Sequence, residues 1–194
     1  MKNNIVDAIV FVGASGSGKT ELAEQVQKAM EQNGHHRKAK KLRTATTRVP
    51  RAGEVDGVHY DFLSVAEFER MIANNELVEY TNYAGNYYGL PSKTAEKMMA
   101  EDLVLAVMDI DGALALKRRF GERVVTVFLS VDPETIAQRM LERGDAPAKI
   151  QQRIDHAKAK AEFDNGVFCD YIVNNDGCID EAVEAIKAII EGKE

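Results

Sequence analysis

Proline and cysteine are scarce in this chain: its 194 residues include only 4 Pro and 2 Cys. The two cysteines, Cys169 and Cys178, fit neither a disulfide framework nor zinc-ligand spacing, so both read as reduced thiols of a cytoplasmic protein. A basic excess is missing as well. The net charge of −6 argues against a nucleic-acid partner, because such proteins need a cationic surface to displace the counterions of the phosphate backbone. Long apolar runs are also absent. The longest, such as Leu103 to Met108, are strand-sized, and the N-terminus turns glycine-rich too soon for a signal peptide, so no membrane is expected. There is no internal repeat and no low-complexity tract. What remains, 45% apolar and 29% charged residues with 14 Gly, is an ordinary globular balance, and the length suits one well-buried core carrying inserted lobes.

The order of patterns along the chain is α/β. Ala8 to Val12 is a short β-branched run that leads into glycines and then a helical pattern, Glu21 to Gln32. Leu103 to Ile110 and Val124 to Leu129 are continuous apolar runs without alternation, as expected of parallel strands covered on both faces. Helical patterns follow each, Ala113 to Phe120 and Glu134 to Arg143, and Tyr171 to Val173 with Ile179 to Ile190 closes the chain. Two stretches interrupt this rhythm. Residues 44–90 are polar and tyrosine-rich, with strand-like pieces at His59 to Leu63 and Leu77 to Tyr80 around a helix at Val65 to Asn74; they predict an inserted lobe. Residues 133–164 include a Gly-Asp-Ala-Pro turn at Gly144 and a charged helix with little apolar face, which predicts a mobile lid. The core is then about 1–43, 91–132 and 165–194. The basic stretch His35 to Lys41 reads as a solvated connection.

Gly13-Ala14-Ser15-Gly16-Ser17-Gly18-Lys19-Thr20 fits G-x-x-x-x-G-K-[ST] in full, after a predicted strand and at the head of a predicted helix. Gly13, Gly16 and Gly18 let the backbone curl close enough to a phosphate for its N–H groups to donate. The helix behind presents free N–H groups and the positive end of its dipole, Lys19 places a point charge on the β- and γ-phosphates, and Thr20 offers a hydroxyl to Mg²⁺. The motif alone specifies a nucleoside triphosphate and predicts a P-loop NTPase-like parallel sheet with helices on both faces.

A second anion site is implied by Thr46-Thr47-Arg48-Val49-Pro50-Arg51-Ala52-Gly53-Glu54, where two arginines flank a proline in a rigid extended segment that aims both guanidinium forks at one anion. On that run, followed by Gly57 and Tyr60, the sequence resembles the guanylate kinase family. The similarity continues through Glu79, Gly85-Asn86-Tyr87-Tyr88-Gly89, Asp109-Ile110-Asp111, Arg139, Arg143 and Arg153, and Asn175-Asp176, so it covers essentially the whole chain.

The resemblance implies transfer of the γ-phosphate of ATP to GMP or dGMP with Mg²⁺, a step of purine nucleotide metabolism. It implies that Arg48, Arg51, Tyr60 and Tyr88 hold the monophosphate, that Glu79 reads the guanine N1–H and exocyclic amine, and that Thr44 and Asp111 belong to the acceptor pocket. Lys19, Arg48, Arg139, Arg143 and Arg153 would stabilise the moving charge. Read without it, Tyr60 and Tyr88 fit packing aromatics of the lobe better than ligands, and the three lid arginines fit a solvated or carboxylate-paired face better than a site. Asp109 and Asp111 either cap the helix after their strand or serve Mg²⁺, and neither is assigned to the metal. Three departures mark a divergent member: Leu90 replaces a hydroxyl residue and is expected to weaken guanine affinity, Gly112-Ala113-Leu114 follows Asp111, and Asn174 occupies an apolar strand position. Another nucleoside monophosphate or a ribose phosphate as acceptor, and a phosphopeptide-binding module without catalysis, are the alternatives.

Overall fold

Side chains alternate across a strand, so a run that is apolar throughout can be buried only if both faces of its sheet are covered. In the computed structural model, which describes residues 6–32 and 37–192, strand β1 (Ala8–Val12) is buried along its whole length. Ile9 and Phe11 point into one apolar cluster, with Leu22 and Val26 of α1 (Lys19–Gln32). Ala8, Val10 and Val12 point into the other. β1 is the middle of a five-stranded, all-parallel sheet of order β2-β7-β1-β8-β9, built with β2 (Ala39–Lys41), β7 (Leu103–Val107), β8 (Val124–Ser130) and β9 (Tyr171–Asn174). Helices α1 and α7 (Ile179–Glu191) cover the first face. Helices α3 (Ser92–Glu101) and α4 (Ile110–Phe120) cover the second.

A second sheet carries the stretch after β2. Its order is β4-β3-β6-β5, from β3 (Ala45–Thr46), β4 (Asp61–Phe62), β5 (Leu77–Tyr83) and β6 (Asn86–Pro91), and β5 and β6 join through Ala84 and Gly85, both at positive φ as a two-residue hairpin turn requires. Helix α2 (Val65–Ala73) starts at Ser64, which accepts a hydrogen bond from the Glu67 amide, while the Glu67 carboxylate accepts one from the Ser64 amide. The helix buries Phe68, stacked on Tyr87 with ring centroids 5.1 Å apart.

Four sequence expectations need correction. The strand expected over Leu103 to Ile110 ends at Val107, and Ile110 opens α4, because the Asp109 carboxylate accepts from the Gly112 amide at 2.9 Å and caps that helix. His35 and His36 lie outside the described residues, but Ala39–Lys41 is not a solvated connection: it pairs with β7 as the sheet's edge. The helix expected to lack an apolar face, α6 (Pro147–Ala159), buries Ile150, Ile154 and Ala157 against Ile136 and Met140 of α5 (Pro133–Glu142). The spacing of four and three residues places all three on one stripe. Leu90, expected near the acceptor base, is wholly buried in the second-face cluster. Among the described residues no helix is long and apolar enough to cross a membrane.

Candidate active site

The turn from β1 into α1 has no room for a side chain at its three glycines. Gly13, Gly16 and Gly18 have φ of 152°, 91° and 89°, the region that favours glycine. Each is also abutted by a different element. A Cβ on Gly13 would lie 2.9 Å from the Leu129 carbonyl oxygen of β8, one on Gly16 would lie 2.9 Å from Ile136 Cγ2 of α5, and one on Gly18 would lie 2.9 Å from Asn175 Nδ2 after β9. Asn175 Nδ2 also donates to the Ser17 carbonyl at 2.9 Å, pinning the loop from the C-terminal side of the sheet.

Within this turn Lys19 Nζ donates to the Gly13 and Ala14 carbonyls at 2.7 and 2.9 Å. Burial lowers the Lys19 pKa, partly offset by the Glu162 carboxylate. A polyanion placed here would raise that pKa again, since it supplies the opposite charge that burial withholds.

Two cavities share Lys19 and Ser15. The larger, about 740 Å³, is lined by Ser15, Gly16, Gly18, Lys19 and Thr20, and by Arg139, Arg143, Asn175 and Ile179. The other, about 410 Å³, is lined by Gly13, Ser15 and Lys19 on one side and by Asp109, Asp111, Lys160 and Glu162 on the other. Ala14 and Ser17 are buried beneath the loop and face neither. Sequence reasoning missed Lys160, Glu162 and Asn165 of the smaller cavity, and Glu24 and Ile179 of the larger; only the fold brings these distant segments to the loop.

The three arginines of the α5–α6 hairpin do not behave alike. Arg139 Nη2 donates to the Asn175 carbonyl at 2.7 Å, so it is docked on the segment that pins the loop. Arg143 is exposed, lines the larger cavity and pairs with Asp145 at 2.6 Å, which holds that carboxyl below its ordinary pKa. Arg153 lines neither cavity and lies 3.9 Å from Asp145.

On the second sheet, Arg48 makes a two-pronged ion pair with Glu54, both contacts at 2.9 Å, and the Arg51 amide donates to the same carboxylate at 2.6 Å. The Glu54 pKa falls to about 2, chiefly through the Arg48 hydrogen bond. The Arg48 guanidinium lies 5.7 Å from the Tyr60 ring centroid and 5.8 Å from that of Phe62, and the Tyr88 hydroxyl is close enough to interact with it. Arg48, Tyr60 and Tyr88 are therefore brought together; the Arg51 side chain is exposed, and Thr44 stands one residue before β3. Glu79 on β5 is half-buried, and burial, with the Asp109 carboxylate adding to it, raises its pKa. Asp109, and Asp111 in the first turn of α4, both line the smaller Lys19 cavity.

A family model described as Guanylate kinase matches residues 6–193. The guanylate kinase of Desulfitobacterium hafniense is 35% identical over 98% of this chain and 92% of its own length. That of Gloeobacter violaceus is 36% identical over 94% of this chain and 85% of its own. A crystal structure of guanylate kinase from Anaplasma phagocytophilum shares the fold, with a TM-score of 0.60 at 24% identity, covering 95% of this chain and 84% of that one.

Gly16→Ala tests the steric reading of the loop. The new methyl would meet Ile136 and Met140 and sit at a φ of 91°, so the variant is expected to lose about 1 to 3 kcal/mol in chemical denaturation.

Proposed function

The chain belongs to the guanylate kinase family, and from that premise we propose that it moves the γ-phosphate of ATP to GMP or dGMP, giving ADP and GDP, by Mg²⁺-dependent in-line transfer. The observation that carries the proposal is the position of Lys19 on the wall of both cavities, the larger suited to a triphosphate and the smaller bounded by Asp109 and Asp111.

On this reading ATP lays its phosphates along the amides of residues 13–20. Lys19 leaves the Gly13 and Ala14 carbonyls for the β- and γ-phosphates, exchanging two neutral acceptors for charged ones, which form stronger hydrogen bonds. Arg48, Arg51, Tyr60 and Tyr88 take the phosphate of GMP. Glu54 orients Arg48 from behind, so the fork is set before the ligand arrives. Glu79 accepts from guanine N1–H and its exocyclic amine, with Thr44 and Asp111 completing the pocket; adenine would set a lone pair against that carboxylate, a mismatch costlier than one of shape.

Thr20 is exposed at the head of α1 and lines the larger cavity, which fits a Mg²⁺ ion held by one hydroxyl, water and phosphate oxygens. No group of His, Cys, Asp and Glu able to hold a metal by itself occurs among the described residues, as suits an ion that arrives with its nucleotide. When bound it supplies positive charge to the phosphate oxygens. Residues 133–164 act as a lid: Arg139 and Arg143 face the transferring phosphate, and hairpin closure brings in Arg153 and excludes water. The same reading takes about 1–43, 91–132 and 165–194 as the core, about 44–90 as the acceptor lobe and about 133–164 as the lid, in a cytoplasmic setting. Leu90, which opened the question of another acceptor, lies in the core and makes no case for one.

A panel of acceptors with ATP and Mg²⁺, read by ADP formation, tests this directly: GMP or dGMP should be clearly best. ADP formation independent of any monophosphate, or faster with a ribose phosphate, would reject it. A pH series gives a second test. Because the Glu79 pKa is raised above its ordinary 4.5, the carboxylate needed for guanine is lost at a higher pH than for a solvated glutamate, so GMP affinity should weaken early on acidification. The same shift means that ionised Glu79 opposes folding once the pH exceeds the unfolded value. Glu79→Gln should therefore flatten the acid limb of GMP binding and raise stability at neutral pH; an unchanged acid limb would remove Glu79 from the base pocket.

A further inference from the structure

A third cavity, about 290 Å³, opens between the edge strand β2 and helix α3, away from Lys19. Its wall carries four basic side chains, Lys40, Arg43, Lys93 and Lys97, against two carboxylates, Glu101 and Asp102, in a chain whose net charge is −6. Two of them are already matched: Lys40 pairs with Asp102 at 2.7 Å, and Arg43 lies beside Asp61 at 2.6 Å. Lys93 and Lys97, four residues apart on one face of α3, have no hydrogen bond or ion pair among the described residues. Two like charges so placed repel each other; the Glu76 carboxylate interacts with Lys93 and Glu101 stands one turn beyond Lys97, and an anion between the two lysines would join them directly.

Three further features favour an anion. Helix α3 begins after Pro91 with no side-chain cap and no acidic residue in its first turn; its Ser92 amide donates to the Glu76 carbonyl at 2.8 Å, and the positive end of its dipole meets no carboxylate of its own first turn. Arg43 Nε is buried in the cavity wall without a hydrogen-bond partner, its N–H not directed at the nearby Asp61 oxygen. Thr94, also on the wall, offers a hydroxyl that now donates to Asp61 at 3.1 Å. We propose that this cavity is a second anion site, separate from the phosphate loop, that takes a small soluble phosphate-bearing compound through Lys93, Lys97 and Arg43. A nucleic acid is disfavoured by the acidic surface, and the volume suits one or two phosphate groups with little else.

The site also borders the join between the two sheets. Arg43 stands two residues before β3 of the second sheet, Asp61 belongs to its strand β4, and Thr94 belongs to the core helix α3. An anion that draws Arg43 and Thr94 from Asp61 unpins the second sheet from the core at this point, so occupancy is coupled to how freely that sheet moves.

Hydrogen–deuterium exchange of the full chain with and without inorganic pyrophosphate reads the new site and the loop together. Protection is expected over residues 40–44 and 92–98 as well as over residues 13–20. In Lys93→Ala/Lys97→Ala the midpoint for 92–98 should move to at least about tenfold higher pyrophosphate, as loss of a charge-assisted contact requires, while the midpoint for 13–20 stays in place and reports an intact fold. Lys93→Arg/Lys97→Arg should restore it. Protection confined to the loop and the Arg48 region, or an α3 midpoint indifferent to the double alanine change, overturns the proposal. Co-sedimentation with phosphatidylserine vesicles that the double change abolishes would instead assign the cavity to a lipid surface and overturn the small-anion reading.

Discussion

At three positions between β1 and α1 the backbone leaves no space for a side chain, and most of the architecture follows from that restriction. Three glycines at positive φ are each pressed by a separate element: β8 at Gly13, α5 at Gly16 and the Asn175 segment at Gly18. The pieces that could touch a bound phosphate are thus seated by close contact with the loop itself. The long hydrophobic strands serve this end. With β1 central in a sheet covered on both faces, the loop emerges from the most deeply buried strand, where it has least freedom to relax.

The second sheet follows a different logic. Its strands are short and its buried apolar content is centred on Phe68 and Tyr87, whereas its polar side carries the Arg48–Glu54 pair with Tyr60 and Tyr88. Stability and recognition are segregated on opposite sides of strand β6: Tyr87 stacks inward on Phe68 while its neighbour Tyr88 turns to Arg48. Arg48 is matched by a carboxylate before any ligand arrives, so its charge is tolerated at low exposure and its orientation is already set.

The sequence made the loop legible because its chemistry is local: eight consecutive residues, a strand before and a helix after. The core strands were legible for the same reason, since their apolar runs declare burial on both faces. What depended on tertiary placement was not. Ala39–Lys41 looks like a charged connection, and only pairing with β7 makes it a strand. Ile150, Ile154 and Ala157 lie within a helix rich in lysine and glutamine, so the narrow docking stripe was masked by composition. Asp109 offered two roles, and the Gly112 amide shows it capping α4. Glu162 and Lys160 reach the Lys19 cavity from more than a hundred residues away, a distance no motif spans.

Phosphoryl transfer demands that the two anion sites act on one phosphate, so the most direct test is a single ligand that fills both. Adenosine and guanosine joined through five phosphates should bind at least about 100-fold more tightly than ATP or GMP alone, the gain expected when the second contact becomes intramolecular. That advantage should vanish in Lys19→Ala. An affinity no better than that of ATP would mean that the two cradles do not face each other, and the transferase account would fail.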